Sequence, residues 1–324
     1  MLARYAQRQS RRCVIPDTVP FAQVFGASLP LPATLEAHLA GALRHLLDHP
    51  GSLVRPRVVL QGARAYGLDA GHGQDLAMAL EYFHTASLVF DDLPCMDNAA
   101  QRRGAPCVHL AFGEAEAILA ALALINRAYA LSWRAISAAL PGRQVQAMAY
   151  LEQCLGVAGL LNGQSLDLQY GRLAHGRETT ERIARGKTVS LVRLTLVLPA
   201  ILGGAPAREL QLQERVSLHW GLAYQILDDL KDILQSAAET GKTSARDALL
   251  DRPNLASAIG VPAAFDRLRR HLALGDRTLA RLLEARPGLA FLKDLRAALQ
   301  EERIQVTRTA ENRTEGGRPC SSSN

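Results

Sequence analysis

Apolar positions recur at intervals of three and four residues along most of the chain, and no stretch alternates apolar and polar residues as a half-buried strand would. The pattern predicts helices over 35–47, 58–66, 74–90, 115–139, 144–170, 180–201, 207–234, 264–285 and 289–306. Breakers punctuate them. Asp48-His49-Pro50-Gly51 closes the first, Pro94 ends or bends the third, and Pro141-Gly142 stops the fourth. Gly163 marks an interruption of the fifth, and Pro287-Gly288 precedes the last. No low-complexity linker divides the middle, so the expectation is one all-α domain over 21–310. A basic arm over 1–20, carrying Arg4, Arg8, Arg11 and Arg12, precedes it, and a Gly/Ser/Pro-rich tail over 311–324 follows, both expected to lack fixed structure.

Composition narrows the class. Apolar residues are 48% and charged residues 21%, values of a globular chain, with Ala and Leu in place of aromatics (5%), which favours helix. The net charge of +6 comes from arginines scattered along the chain, with no basic block interleaved with aromatics, so nucleic acid is not the expected partner. Five cysteines at irregular spacing fit neither a zinc site nor a disulfide framework, and a reducing cytoplasm is the default. The longest apolar runs, 117–125 and 194–202, are too short to span a bilayer.

Two acidic clusters carry the chemistry: Asp91-Asp92-Leu93-Pro94-Cys95-Met96-Asp97 and Asp228-Asp229-Leu230-Lys231-Asp232. Each ends an apolar helical segment. One such cluster is as readily a solvated acidic turn; two of them ask for cations between them. Hard divalent ions take oxygen ligands, and Mg²⁺ binds through one or two carboxylates plus substrate phosphates. Asp228 and Asp232, four apart, share a helix face. Arg102-Arg103-Gly104 follows the first cluster and offers either salt bridges or bidentate forks for a diphosphate. Only four residues are lysine, and three of them (Lys187, Lys231, Lys242) lie at or near these motifs, where a compact point charge suits a phosphate.

Read in order, these motifs resemble the trans-isoprenyl diphosphate synthases, the polyprenyl synthetases. The resemblance covers roughly 51–260. It rests on the two acidic clusters, Arg102-Arg103-Gly104, His109, Phe112-Gly113-Glu114, Gly163-Gln164-Ser165-Leu166-Asp167-Leu168, Gly186-Lys187-Thr188 and Tyr224-Gln225-Ile226-Leu227. It implies an isoprenoid synthase fold, a helical bundle around a central apolar cavity, and a homodimer. By resemblance, Asp91, Asp97 and Asp228 ligate Mg²⁺ with Asp92, Asp229 and Asp232 in support. Arg102, Lys187 and Lys242 hold the allylic diphosphate. Arg55, His84 and Arg103 hold isopentenyl diphosphate. Thr188 and Gln225 stabilise the allylic cation. Small Ala86 and Ser87 above Phe83 and Tyr82 set the tail length, giving a product of geranylgeranyl size.

The chain departs from the family pattern in places. Ser52 stands where a lysine is usual, Leu122 where an Asp is usual, Phe90 where a His is common, and Ala99-Ala100 replace acids. One lost charged hydrogen bond costs about 1.5–3 kcal/mol, which weakens a second diphosphate site without abolishing it. Two other readings therefore remain open at this point: a class I terpene synthase acting on one allylic diphosphate, and a non-catalytic subunit of another synthase.

Overall fold

The structure, a computed structural model, describes residues 21–234 and 252–316. Lys242, the basic arm over 1–20 and the last eight residues lie outside that range. Fourteen α-helices occupy the described residues: α1 (Phe21–Ala27), α2 (Ala37–Asp48), α3 (Val54–Ala65), α4 (Ala70–Asp91), α5 (Val108–Phe112), α6 (Glu114–Ser137), α7 (Pro141–Leu155), α8 (Leu160–Leu168), α9 (Arg177–Ala184), α10 (Ser190–Leu202), α11 (Ala207–Leu234), α12 (Leu255–Ile259), α13 (Val261–Ala285) and α14 (Leu292–Gly316). The all-α expectation holds, with one addition. Gln101–Arg102 (β1) and Ala105–Pro106 (β2) pair antiparallel across a two-residue turn. Two-residue strands are too short to leave an alternating signature.

One buried apolar cluster extends from Phe25 to Val306. Helix α4 runs through its centre. Its cap is Asp69, whose Oδ1 accepts from the Gly71 N–H at 2.8 Å. From Leu76 to Phe83 every side chain is buried, so α4 reads as apolar all round rather than amphipathic. Packed α3, α6 and α10 surround it. The helix stops at Asp91, three residues before Pro94, and delivers the first acidic cluster at its C-terminal end.

The sequence reading of 144–170 needs correction. The break lies at 156–159, between α7 and α8, where Gly159 takes φ −117°, ψ −113° and a Cβ would meet the Cys154 carbonyl oxygen at 2.2 Å. Gly163 sits inside α8, and its role is close approach: a Cβ there would lie 2.4 Å from the Lys187 nitrogen and 2.5 Å from the Gly186 carbonyl carbon. The region read as 180–201 is likewise not one α-helix. A π-helical turn, Arg185–Val189, separates α9 from α10 and carries Lys187 and Thr188; such turns are often found at functional sites. The last helix extends to Gly316, past the expected start of the tail.

Candidate active site

The hairpin after the first cluster sorts its two arginines. Arg103 and Gly104 both have positive φ (56° and 80°) at the centre of the turn, a geometry typical of tight hairpins but costly for an arginine. Arg102, still in β1, turns to Asp92: its Nε donates to Oδ1 and Oδ2 at 3.0 and 3.1 Å, and its Nη2 also donates to Oδ1. Arg103 turns the other way, where Nη1 donates to the His49 carbonyl at 3.1 Å and Nη2 stands 3.5 Å from Glu81 Oε1.

Asp91 meets a cation from elsewhere in the fold. Lys187 Nζ lies 3.9 Å from its Oδ2 and 2.9 Å from Asp167 Oδ2. Burial pushes the Asp91 carboxyl up to about 6; Lys187 pulls it back and Asp97 pushes it further. Burial disfavours the Lys187 charge, yet Asp91 and Asp167 together hold its pKa above the ordinary lysine value. Asp167 thus belongs to the site. It was quoted above within a motif without a role, because only the contact between Gly163 and Gly186 brings it to Lys187.

The second cluster is tied to the first at two points. On one side Thr188 Oγ1 donates to Gln225 Oε1 at 2.6 Å, and Gln225 Nε2 donates to Asp229 Oδ1 at 2.8 Å. On the other, Arg252 Nη2 donates to Asp97 Oδ1 and to the Met96 carbonyl, both at 2.8 Å. Two residues later Asn254 Nδ2 donates to the Asp229 carbonyl at 3.0 Å, and the Leu255 N–H donates to Asp229 Oδ2 at 2.8 Å. The acidic ends of α4 and α11 therefore border one cleft. Arg252, to which the sequence reading gives no role, is a site residue; its distance in sequence from Asp97 conceals it.

These bonds revise the ligand set. Asp229 is 1% exposed and both its oxygens accept protein N–H groups. Asp92 is 4% exposed and occupied by Arg102. Both acids hold the frame. Asp91, Asp97, Asp228 and Asp232 are partly exposed. Lys231, grouped above with the phosphate-binding lysines, instead meets Glu302 of α14 at 3.0 Å. Among the described residues no three His, Cys, Asp or Glu side chains cluster tightly enough to hold a metal by themselves. Asp91, Asp97, Asp228 and Asp232 offer oxygen donors alone, the kind a hard ion takes when water and a substrate's phosphates complete its shell.

Beside this cleft, Arg55, His84, Arg103 and Glu81 converge. Burial first, then the charges of Arg55 and Arg103, push the His84 imidazole well below its ordinary value. Its Nδ1 is buried with no hydrogen-bond partner. Ser52 is half-buried, just before Leu53, which has φ 50°. Leu122 lies elsewhere, half-exposed on α6, so its replacement of the usual acid does not alter the cleft.

The tail-length residues fall on different sides of α4. At about 100° per residue, Ser87 lies close to the Asp91 row and Phe83 near it, while Tyr82 points to the opposite side. Tyr82 is fully buried, with its ring 5.1 Å from Phe25 and its hydroxyl on Ser28 of the segment after α1. It is not part of the floor. Phe83 meets Tyr129 of α6 edge-on, centroids 4.9 Å apart. Ala86 is fully buried, whereas Ser87 is half-buried.

A cleft of opposed carboxylates and inward cations at the end of an apolar bundle accords with the sequence matches. Residues 36–272 match the profile described as Polyprenyl synthetase. The chain belongs to the polyprenyl synthetase family. Within it, the chain is 36% identical over 253 residues to the geranylgeranyl diphosphate synthase of Pantoea ananas, covering 77% of this chain and 82% of that one. It is 34% identical over 261 residues to the chloroplastic geranylfarnesyl diphosphate synthase of Leucosceptrum canum, covering 80% and 71%. Among solved structures, the Helicobacter pylori geranyltransferase complexed with magnesium and isoprenyl diphosphate superposes with TM-score 0.75 at 25% identity, covering 94% of this chain and 98% of that one. The protein is a polyprenyl synthetase of isoprenoid synthase fold and a prenyltransferase.

Proposed function

We propose that this polyprenyl synthetase condenses isopentenyl diphosphate with an allylic diphosphate, and that its main product is geranylgeranyl diphosphate. The convergence of Arg55, Arg103 and His84 beside the acidic cleft carries the reading, since a terpene synthase acting on one diphosphate has no use for a second anion pocket. Asp91 and Asp97 on one wall and Asp228 and Asp232 on the other would hold Mg²⁺, which when bound neutralises the departing pyrophosphate. Arg102, Lys187 and Arg252 supply fixed positive charge on the same oxygens, with Lys242 as a fourth candidate. Thr188 and Gln225 turn oxygen dipoles to the allylic carbon as its bond to oxygen breaks. The alkene of isopentenyl diphosphate attacks that carbon, and the adduct then gives up a proton to the departed pyrophosphate as base; the apolar walls exclude water meanwhile.

The tail would run along the Ser87 row of α4 toward Phe83 and Tyr129. A small residue at 87 leaves the upper level open, which favours a product longer than farnesyl. The relatives that make geranylgeranyl and geranylfarnesyl diphosphates agree with that direction.

A homodimer is also part of this reading. Helix α6 is long and apolar enough by composition to cross a membrane. Its inner face packs on α4, while Ile118, Leu119, Leu122 and Trp133 are 40–55% exposed along its outer side. A second copy of the chain covers that stripe.

The test is incubation of purified protein with Mg²⁺ and farnesyl diphosphate, with and without isopentenyl diphosphate, followed by product analysis. Elongation only with both substrates, abolished by a chelator and restored by Mg²⁺, is the expected result. A hydrocarbon or alcohol formed from farnesyl diphosphate alone overturns it.

A further inference from the structure

The cations assigned to isopentenyl diphosphate are not alone. Glu81 lies one turn before His84 on α4, is 2% exposed, and reaches Arg103 at 3.5 Å. A carboxylate at the base of an anion pocket opposes the ligand twice. It repels the incoming phosphates, and it engages a guanidinium that the phosphates need. Such a group earns its place only if its charge can be removed when the anion arrives.

We propose that Glu81 is a positioning residue that is ionised in the empty pocket, where it aligns Arg103 and Arg55, and takes up a proton from solvent when isopentenyl diphosphate binds. The inference rests on the function proposed above. Burial is the main force acting on the Glu81 proton, raising its pKa to about 7, with Arg55 and Arg103 holding it down. The same two arginines act on His84, which burial keeps neutral at physiological pH. Arg102 acts on His84 and Arg103 but is itself engaged by Asp92. From α11, half-buried Tyr224 stands in reach of Arg55 and Asp228. Among the groups that act on it, Glu81 is therefore poised to titrate near neutrality. When a diphosphate takes Arg55 and Arg103, the two charges that hold Glu81 ionised are claimed, and protonation follows. The neutral acid can then donate its O–H to a phosphate oxygen, as the absent lysine at position 52 would have done. The proton balance is simple: one proton enters from solvent per ligand bound, and no bond to carbon is made or broken.

Binding linked to proton uptake weakens as pH rises through the free-enzyme pKa, so KM for isopentenyl diphosphate should climb above pH 7, by up to about tenfold per pH unit. KM for the allylic substrate is the internal control, because the charges that act on Glu81 are Arg55 and Arg103, not Arg102 or Lys187. In Glu81→Gln the climb should vanish for isopentenyl diphosphate while the allylic profile stays as in the wild type. Glu81→Asp, which keeps a carboxyl, should restore a slope. Wild-type protein gives a second, independent reading. Calorimetric titration with isopentenyl diphosphate in two buffers of different ionisation enthalpy should show net proton uptake near pH 7.5, whereas pairing of the ligand's own phosphate with cations would release protons. An unchanged slope in Glu81→Gln, or net release in wild type, overturns the proposal. Loss of both KM values together in Glu81→Gln would mark a merely structural acid and also overturns it. A protein that never elongates sinks the proposed function instead, which separates the two failures.

Discussion

Asp92 and Arg102 form a closed pair: the carboxylate, 4% exposed, takes both Nε and Nη2 of the arginine ten residues later. The loop before β1 brings the chain back to the end of α4, where the Ala99 N–H donates to the Asp92 carbonyl at 3.1 Å, and β1, paired to β2, then carries Arg102. The pair fixes where the charge of Arg102 stands before any substrate arrives.

Breaking that pair should therefore damage both stability and catalysis. Asp92→Ala leaves a part-buried guanidinium without its anion, and removal of one partner of a buried pair costs about 3–5 kcal/mol. Urea denaturation should show a loss at the low end of that range, since Arg102 retains some solvent access. kcat should fall at least about 100-fold. A variant that keeps wild-type stability would mean that the pair is dispensable for folding.

Gly163→Ala probes the crossing that assembles Lys187. The added Cβ would lie 2.4 Å from the Lys187 nitrogen, against backbone that has little room to yield. The α8 helix and the π-helical turn must separate, and Asp167 then loses Lys187. Expected are a lowered Tm and a raised KM for the allylic diphosphate, with KM for isopentenyl diphosphate changed less. Equal effects on both substrates would argue against this geometry.

Ser87→Phe should shorten the product. Ser87 sits on the Asp91 row of α4, one turn above Phe83, so a ring there blocks the tail earlier. Chromatography of the dephosphorylated products should shift toward C15. An unchanged product places the tunnel elsewhere.

Acid should destabilise the fold through a histidine pair remote from the cleft. His219 and His271, from α11 and α13, meet Nδ1 to Nδ1 at 3.2 Å. Burial, with Arg267 close by, brings His271 down to about 4, against an ordinary 6.5. Its folded pKa is depressed, so the unfolded chain binds more protons between those values. Stability is then highest above pH 6.5 and falls as pH drops toward 4. His271→Asn should flatten the urea midpoint between pH 5 and pH 7 relative to wild type. An equally steep decline in the variant would assign the acid sensitivity to carboxylates.

The sequence by itself determined the helices, because three- and four-residue apolar spacing is a local property that survives in any packing. It also determined which atoms could do the chemistry: two acidic clusters, an arginine doublet and a few lysines. Even so, the spacing does not separate α8 from α7 or reveal the π-helical turn between α9 and α10. A glycine inside a helix and a glycine that breaks one look alike until the neighbour that needs the space is known. Only tertiary structure decided which carboxylates face the cleft and which are spent on the frame. Asp91 and Asp92 are adjacent in sequence, yet one meets Lys187 and the other is closed by Arg102. Burial and hydrogen bonding depend on contacts between residues up to 156 positions apart, as in Met96 with Arg252. No local pattern encodes those contacts, which is why Arg252, Asp167 and Glu81 acquired roles only when the helices were packed.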